Sequence, residues 1–464
     1  MRGFLLDLNR CTGCHACLFA CSIENGLDFG KSWREIHTFN TRHRSGVASF
    51  HLSLGCLHCA EPACMKSCPA SAYSRDALTG AVLVDSGLCI GCRYCKWACP
   101  FDAPKYDPDA GTVSKCTLCN DRLGDGKDPA CSSLCPTGAL QFADLDAGNG
   151  IETVPGFPAT DLDPRAKFIP VRSANGPAMS QESMDGATVD RLRVQDTSPR
   201  SRASIESEWS LIAFTLAATL LVAIVGAAAI GTLSIGGIDF LIGALAAMGI
   251  GALHLGKKSR AWRAVLNLRS SWLSREIVAY SAFLVLALAT FFSPSPGGIL
   301  TAAAVVSGFF ALYCVDRVYS SISRPGFPRF HSGGAMLTGL YLCGIIASVA
   351  PIAACAGLIK LVLYAERQSW RVSPWRFFVS VLRLGLGFVI PLALWRAYPD
   401  WILPAVVVAE VIDRCEFYLD MIIPGPDGQI AEDLRRATAE RERQSPDLED
   451  RVAPSPPPMH APEV

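Results

Sequence analysis

The chain lacks net charge. Its 464 residues carry 42 basic and 42 acidic side chains, so no field of one sign steers it toward nucleic acid. It also lacks a nucleotide-binding motif and a nucleophile elbow, so no catalytic pocket of its own is legible. Met1 to Arg10 reads MRGFLLDLNR. That segment has neither a twin-arginine nor a secretory signal and reads as a short strand. Disulfides need an oxidising compartment, and nothing here points to one. What the chain does have is apolar excess. Mean hydropathy is +0.28, although the first 200 residues look soluble, so the excess lies in the second half.

Cysteine is the other excess. Sixteen of the twenty lie between Cys11 and Cys135, in four groups: Cys11, Cys14, Cys17, Cys21; Cys56, Cys59, Cys64, Cys68; Cys89, Cys92, Cys95, Cys99; and Cys116, Cys119, Cys131, Cys135. The first and third have the C-x2-C-x2-C-x3-C spacing of bacterial [4Fe–4S] ferredoxins, and Pro100 completes the third. The second and fourth keep the x3 step and the following proline, Pro69 and Pro136. Isolated C-x2-C pairs would suit zinc, but zinc does not need a third cysteine at i+6. Sixteen thiolates make four cubanes with none left over.

The spacing also predicts pairing. Three cysteines at i, i+3 and i+6 close on one cubane, and the fourth enters a helix that leads to another. The expected ligand sets are Cys11, Cys14, Cys17 with Cys135; Cys116, Cys119, Cys131 with Cys21; Cys56, Cys59, Cys64 with Cys99; and Cys89, Cys92, Cys95 with Cys68. Short apolar runs before the loops (Phe4 to Leu6, Ala48 to Leu54, Ala81 to Val84) give a strand–loop–helix rhythm.

Four regions follow. Residues 1–145 are the cluster domain, which should fold only with its metal. Residues 146–206, rich in Pro, Gly, Ser and Asp, read as a linker or strap without helical or strand period. Residues 207–423 are a membrane domain. Residues 424–464 read as a disordered tail with at most a short helix first. Apolar spans fall at about 209–231, 235–255, 276–293, 298–318, 333–348, 350–365, 377–395 and 402–423. Fused, residues 331–364 would measure about 50 Å against a hydrocarbon core of about 30 Å. Eight spans, with a hairpin near Ser348–Pro351, put the basic loops on one face: Lys257, Lys258, Arg260, Arg263, Arg269 and Arg275; Arg317, Arg324 and Arg329; Arg367, Arg371 and Arg376. The positive-inside rule makes that face cytoplasmic. Arg200 and Arg202 agree; Arg396 beside Asp400 follows span seven. The fold class is therefore an N-terminal α+β double ferredoxin-like domain with four [4Fe–4S] clusters, followed by an all-α membrane domain of eight transmembrane helices.

Within the spans, Glu410 and Arg414 are i, i+4 and could pair with each other. Arg383 is expected to snorkel. Cys314, Cys343, Cys355 and Cys415 have no ligand spacing and read as packing residues.

Residues 3–145, through CTGCHACLFAC, CLHCAEPACMKSCP, CIGCRYCKWACP and CTLCNDRLGDGKDPACSSLCP, closely resemble the iron–sulfur subunit of the dimethyl sulfoxide reductase family. Residues 207–423 resemble its membrane anchor subunit, through SEWSLIAFT, HLGKKSRAWRAVLNLRSSWLSREI, DRVYSSI and AEVIDRCEFY. The two are normally separate polypeptides. The resemblance implies a subunit without its own catalytic centre. It would oxidise a quinol, menaquinol or ubiquinol, and pass electrons through four clusters to a large molybdopterin subunit in anaerobic respiration. It also implies His254 and Glu276 as quinol residues in the inner membrane. An imidazole and a carboxylate at a membrane edge can accept the two protons that quinol releases; otherwise they are an interfacial histidine and a helix-start glutamate balancing nearby arginines. Three other readings use the same parts. The relay could run from a cytoplasmic donor such as sulfite or formate to quinone. The protein could be a self-sufficient ferredoxin:quinone reductase. A purely structural metal protein would have no need for a chain of redox centres.

Overall fold

The two ends of the cysteine-rich region are strands that pair with each other. The computed structural model describes residues 2–28, 30–44, 46–146, 150–172, 205–233, 235–293, 298–321, 331–367, 374–395, 399–421 and 425–444. Strand β1 (Arg2–Asp7) leads into the first cysteine loop and helix α1 (Ala16–Glu24). A hairpin follows, β2 (Glu35–Phe39) and β3 (Phe50–Leu54), then α2 (Ala63–Ser67), β4 (Tyr73–Arg75), β5 (Val82–Val84) and α3 (Tyr94–Ala98). The second half holds β6 (Lys105–Asp107), β7 (Thr112–Ser114), α4 (Asn120–Gly124), α5 (Ala130–Ser133), β8 (Leu140–Asp144) and β9 (Ala166–Ile169). β1 runs antiparallel to β8, from Arg2 opposite Asp144 to Leu6 opposite Leu140. Phe4, Leu6, Leu140 and Phe142 alternate inward along this pair and are buried, as a half-buried sheet requires. The pairing carries the first and last cysteine groups to the same end of the domain.

Helices of four or five residues are too short to stand alone, so α2 to α5 depend on what their cysteines hold. The first and third loops repeat one backbone device. Gly13 and Gly91 have φ of 68° and 71°, and His15 and Arg93, two residues later, have 61° and 63°. Two left-handed residues so close bend the loop sharply around its sulfurs.

Part of the expected strap belongs to this domain. β9 lies parallel to β1, and Val154, Phe157 and Phe168 are buried in the same core. Sparse periodicity hid a strand whose partner is distant in sequence. Residues 173–204, with Arg200 and Arg202, lie outside the described residues, as do Arg324, Arg329, Arg371 and Arg396.

The second half is helical: α6 (Ile205–Ala229), α7 (Gly237–Ala252), α8 (Trp272–Phe292), α9 (Gly298–Ser320), α10 (Ala335–Ile346), α11 (Ala350–Arg367), α12 (Pro374–Leu384), α13 (Ile390–Leu394) and α14 (Pro399–Asp420). A π-helical turn, Gly385–Val389, joins α12 to α13. Among the described residues, four stretches are long and apolar enough to cross a membrane: Ile205–Ala229, Trp272–Phe292, Gly298–Ser320 and Trp375–Leu394. The apolar run 333–365 does break in two. Ser348, at φ 54°, turns the backbone from α10 into α11.

The basic segment between α7 and α8 is a platform for the cluster domain. The Lys257 amide donates to the Ile90 carbonyl at 3.1 Å and the Asn267 amide to Pro69 at 3.2 Å. Asn267 Nδ2 reaches the Cys68 carbonyl at 2.8 Å, and Arg260 reaches Ser86 at 2.7 Å. A Cβ on Gly256 would stand 2.2 Å from the Gly111 carbonyl oxygen, so only glycine permits this backbone contact.

The tail needs correction. Residues Pro426–Gln444 form a 19-residue helix, α15, that returns from α14 to the cluster domain. Ile430 enters the core that holds Phe39, Leu52 and Phe157. Asp433 accepts the Gly156 amide at 2.7 Å, and Asp427 meets His37 at 2.7 Å. Its charge suggested solvation, but buried Ile430 and partly buried Leu434, with two flanking polar contacts, dock it. Ile430→Ala should destabilise the cluster domain by about 2 kcal/mol, read as earlier loss of cluster absorbance on heating. An unchanged transition would mean that α15 is not part of the folded unit.

Candidate electron-transfer site

Two cavities lie within the cluster domain. One is lined by Cys56, Cys59, Cys64 and Cys99 together with His58 and Lys115. The other is lined by Cys68, Cys89, Cys92 and Cys95. In each, three cysteines come from one loop and the fourth from the other. The described cysteines form no disulfide. Among the described residues, no three His, Cys, Asp or Glu side chains close on a single ion, as tetrahedral zinc would require. The sulfurs surround voids instead, which suits a polynuclear cluster.

The outer groups also stand close together. Burial raises the Cys11 thiol, and Cys17, Cys135 and Cys14 add to the rise. Burial pushes Cys21 up to about 12, and its thiolate neighbours include Cys131 and Cys119. Cys116 has Cys56, Cys21 and Cys131 around it. Without metal these thiols stay protonated, so loading must displace protons. Exposure changes along the series. Cys92 packs against the helical domain beside Tyr94 and Trp97, whereas Cys14 is exposed and Cys11 and Cys135 are partly so.

Two buried cations stand among the sulfurs. Lys115 Nζ lies 3.4 Å from Cys56 Sγ and donates to the Cys116 carbonyl at 2.9 Å and to that of Val82. Burial alone would lower its pKa; Cys56, Cys64 and Cys116 more than offset this and hold it above its ordinary value. Arg34, also buried, faces Cys131, Cys17, Cys116 and Cys21 and donates to the Ser53 carbonyl at 3.0 Å. His58 is held well below its ordinary pKa by burial and by Lys115, Arg165 and Arg75. Its Nδ1 accepts the Val82 amide at 3.0 Å, so Nε2 carries the proton. That buried N–H has no partner and lies in the wall of the first cavity, where a cluster sulfur could accept it. The donor set fits an anionic iron–sulfur centre.

His254 follows the end of α7. Its Nδ1 meets the Gly251 carbonyl. A carbonyl only accepts, so Nδ1 carries the proton and Nε2 is a lone pair; it is buried without a partner. Arg93, from the third cysteine loop, is its charged neighbour and also lies 3.9 Å from Glu208 on α6. Glu276 is buried in the first turns of α8, with Arg414 and Asp316 as charged neighbours. Tyr280, one turn further, has a buried hydroxyl without a partner and packs edge-on against Phe214 at 5.5 Å. His254 and Glu276 share the end of the helical domain that carries the cluster domain, but no direct contact joins them.

The other intramembrane charges differ from expectation. Arg383 does not snorkel; it is buried and holds Asp413 at 2.6 Å. Glu410 and Arg414 do not pair. Glu410 turns to Lys360 at 2.8 Å, and Arg414 to the Gly333 carbonyl at 3.0 Å. Each found a better partner elsewhere in the helical domain. Sequence reasoning missed Arg34, His58, Lys115, Lys360 and Asp413. The signal for two of them was present: Lys360 interrupts an apolar run, and Asp413 is one turn from Glu410. The first three are ordinary residues whose value comes only from their place between cysteines.

Cavities walled by crossed cysteines on a helical membrane platform define an iron–sulfur electron-transfer protein with its own anchor. Residues 47–145 match the family described as 4Fe-4S dicluster domain, and residues 205–390 the family described as DMSO reductase anchor subunit (DmsC). A component of the anaerobic dimethyl sulfoxide reductase of Escherichia coli (strain K12) is 41% identical over 152 residues, covering 31% of this sequence and 74% of that protein. A subunit of the sulfite dehydrogenase of Allochromatium vinosum is 36% identical over 162 residues, covering 30% and 68%. The formate dehydrogenase-O iron-sulfur subunit of E. coli (strain K12) is 38% identical over 154 residues, covering 30% and 51%. This protein belongs to the dimethyl sulfoxide reductase family, as a fusion of its iron–sulfur and anchor subunits, and serves as an electron-transfer membrane anchor.

Lys115→Met removes one charge a few ångströms from two sulfur sets. At an effective dielectric of about 20 this should lower the potential of the adjoining cluster by on the order of 100 mV, measured by redox titration of its EPR signal. An unshifted potential would mean the charge is compensated elsewhere.

Proposed function

We propose that the chain holds four [4Fe–4S] clusters, ligated by Cys11, Cys14, Cys17 and Cys135; by Cys21, Cys116, Cys119 and Cys131; by Cys56, Cys59, Cys64 and Cys99; and by Cys68, Cys89, Cys92 and Cys95. Bound there, the clusters supply one-electron carriers. What supports this reading is the pair of cysteine-walled cavities, and the run of cysteines from Cys92 against the helical domain to the exposed Cys14. Membrane quinol, menaquinol or ubiquinol, is the electron source. A large molybdopterin subunit docking at the Cys14 end is the recipient. This is anaerobic respiration of the dimethyl sulfoxide reductase type.

The basic loops on one face and the break at Ser348 support eight crossings. Residues 1–145 with the following strap are the electron-transfer domain, residues 207–423 the anchor, and only the residues after α15 remain as tail. The basic platform supports a cluster domain on the cytoplasmic side of the inner membrane.

His254 and Glu276 handle the quinol. The Nε2 lone pair of His254 is positioned to accept a hydroxyl proton, and the Glu276 carboxylate takes the second. Arg93 links that end of α7 to the cysteine loop that receives the electrons. Two of the relatives named above are a sulfite dehydrogenase and a formate dehydrogenase subunit. That favours, as second reading, the same relay run from a cytoplasmic donor to quinone.

Purifying the full chain in mild detergent, with molybdenum and tungsten assayed beside iron, tests the partner. One of these metals with a large co-purifying polypeptide is expected. Iron alone, in a protein that still exchanges electrons with quinone, would favour the self-sufficient reductase. His254→Ala should slow quinol oxidation by about a hundredfold with all clusters retained. Unchanged oxidation returns His254 to an interfacial residue.

A further inference from the structure

The helical domain holds a second polar system that electron transfer does not use. Lys360 of α11 is fully buried and contacts Glu410 at 2.8 Å and Asp413 at 3.4 Å, both on α14. Thr338 of α10 donates to Glu410 at 2.9 Å and accepts from Lys360 at 3.0 Å. Ser332 donates to Asp413 at 2.7 Å, and Arg383 holds its other oxygen at 2.6 Å. Arg367 then gathers the next layer. It lies 3.5 Å from Asp413, 2.8 Å from Glu416 and 3.3 Å from Asp420, and it contacts His331. His331 in turn is 3.8 Å from Asp420.

Exposure rises along this sequence. The side chains of Lys360 and Asp413 are 0% exposed, Glu416 13% and Asp420 28%. Glu410 to Asp420 spans about 15 Å along α14, half a hydrocarbon core. The outer end is the cluster-domain end, because α14 continues there into α15. The layer at Arg414, between those two ends, adjoins Glu276. Arg414, a charged neighbour of Glu276, donates to the Gly333 carbonyl at 3.0 Å. The Gly333 amide donates to His331 Nδ1 at 2.9 Å. Asp316, the other neighbour, accepts the amides of Ala335 and Met336 at 2.7 and 3.0 Å.

Burying ions costs several kcal/mol each even when they are paired, and apolar side chains would pack these helices as well. Two further features point to use rather than scaffold. Arg383 Nε and Nη1 are buried without a hydrogen-bond acceptor, which suits ordered water. The π-helical turn Gly385–Val389 starts two residues beyond Arg383, and such turns collect at functional sites.

We propose that His331, Lys360, Asp413, Glu416 and Asp420, gathered by Arg367, form a proton route from the interior of the membrane domain to its cluster-side surface. The inference rests on the quinol reading, which supplies the protons. Each step breaks one O–H or N–H bond and makes another, and no electron moves. Arg367 and Arg383 stay charged and only position the carriers. Arg414 and the Gly333 backbone carry no proton, so a water molecule between Glu276 and His331 would pass on the proton that Glu276 accepts and leave it ionised for the next quinol.

The test mixes the full chain, with its clusters, with a water-soluble quinol and follows cluster reduction over many turnovers with an added electron acceptor. Glu416→Gln and Asp420→Asn are near-isosteric at partly exposed positions and should fold. Lys360→Met probes the inner end. The outer variants should turn over about tenfold more slowly, with unchanged cluster spectra and unchanged quinol KM. Azide, a small soluble proton carrier, should restore the rate, which a merely structural role would not allow. Wild-type turnover in both outer variants, or slow turnover that azide does not restore, overturns the route while the quinol site stands. A wild-type protein that dithionite reduces but quinol does not would overturn the quinol reading and the route with it.

Discussion

Everything in the N-terminal half depends on cysteine loops meeting in pairs. The short helices there could not persist alone, and two cavities in the domain are walled by sulfur rather than filled by side chains. β1 and β8 exist to close the outer pair: without Leu6 opposite Leu140, Cys135 would not reach the loop of Cys11, Cys14 and Cys17. The inner pair is closed from outside, by a platform whose amides and arginines bind carbonyls on both loops. Fusion in one polypeptide makes sense in these terms, because Gly256 and Gly111 fit only as a backbone-to-backbone contact.

Buried charge is handled alike in both halves. In the cluster domain Lys115 and Arg34 face sets of thiolates, and a bound cluster would keep them neutralised. In the helical domain Lys360, Arg367 and Arg383 face carboxylates. In both places a cation left alone would be expensive in low dielectric, so each network holds its surroundings to one arrangement. The first has electron carriers for partners and the second proton carriers. They approach each other near Arg93, Glu276 and Arg414, where electrons and protons from one substrate would part.

Much of this was legible in the sequence, for identifiable reasons. Cysteine spacing is a short-range signal tied to one chemistry, and it led to the two inner loops whose cysteines wall the cavities. Apolar runs and basic loops gave the helices and the hairpin at Ser348. What escaped were partners distant in sequence. β9 alternates buried Ala166 and Phe168 with less buried Lys167 and Ile169, but four residues are too few for that alternation to stand out in the sequence. Helix α15 looked like solvent-exposed charge because only Ile430 and Leu434 among its many charges meet the core. Glu410 and Arg414 looked like a pair because i, i+4 neighbours are visible in a sequence, whereas their partners Lys360 and Gly333 lie far away in it. Arg34 and Lys115 lie in no cysteine motif, and His58 lies in one only as the residue before Cys59.

The central claim is a single line of electron transfer that starts at the platform. Cys92→Ser breaks only the set that faces the helical domain. The decisive measurement is low-temperature EPR of this variant after anaerobic mixing with quinol and, separately, with dithionite. The account predicts that dithionite still reduces the remaining clusters while quinol reduces them far more slowly than in the unaltered protein. Reduction by quinol at the unaltered rate would contradict it, because electrons would then reach the outer clusters without passing the membrane-facing set.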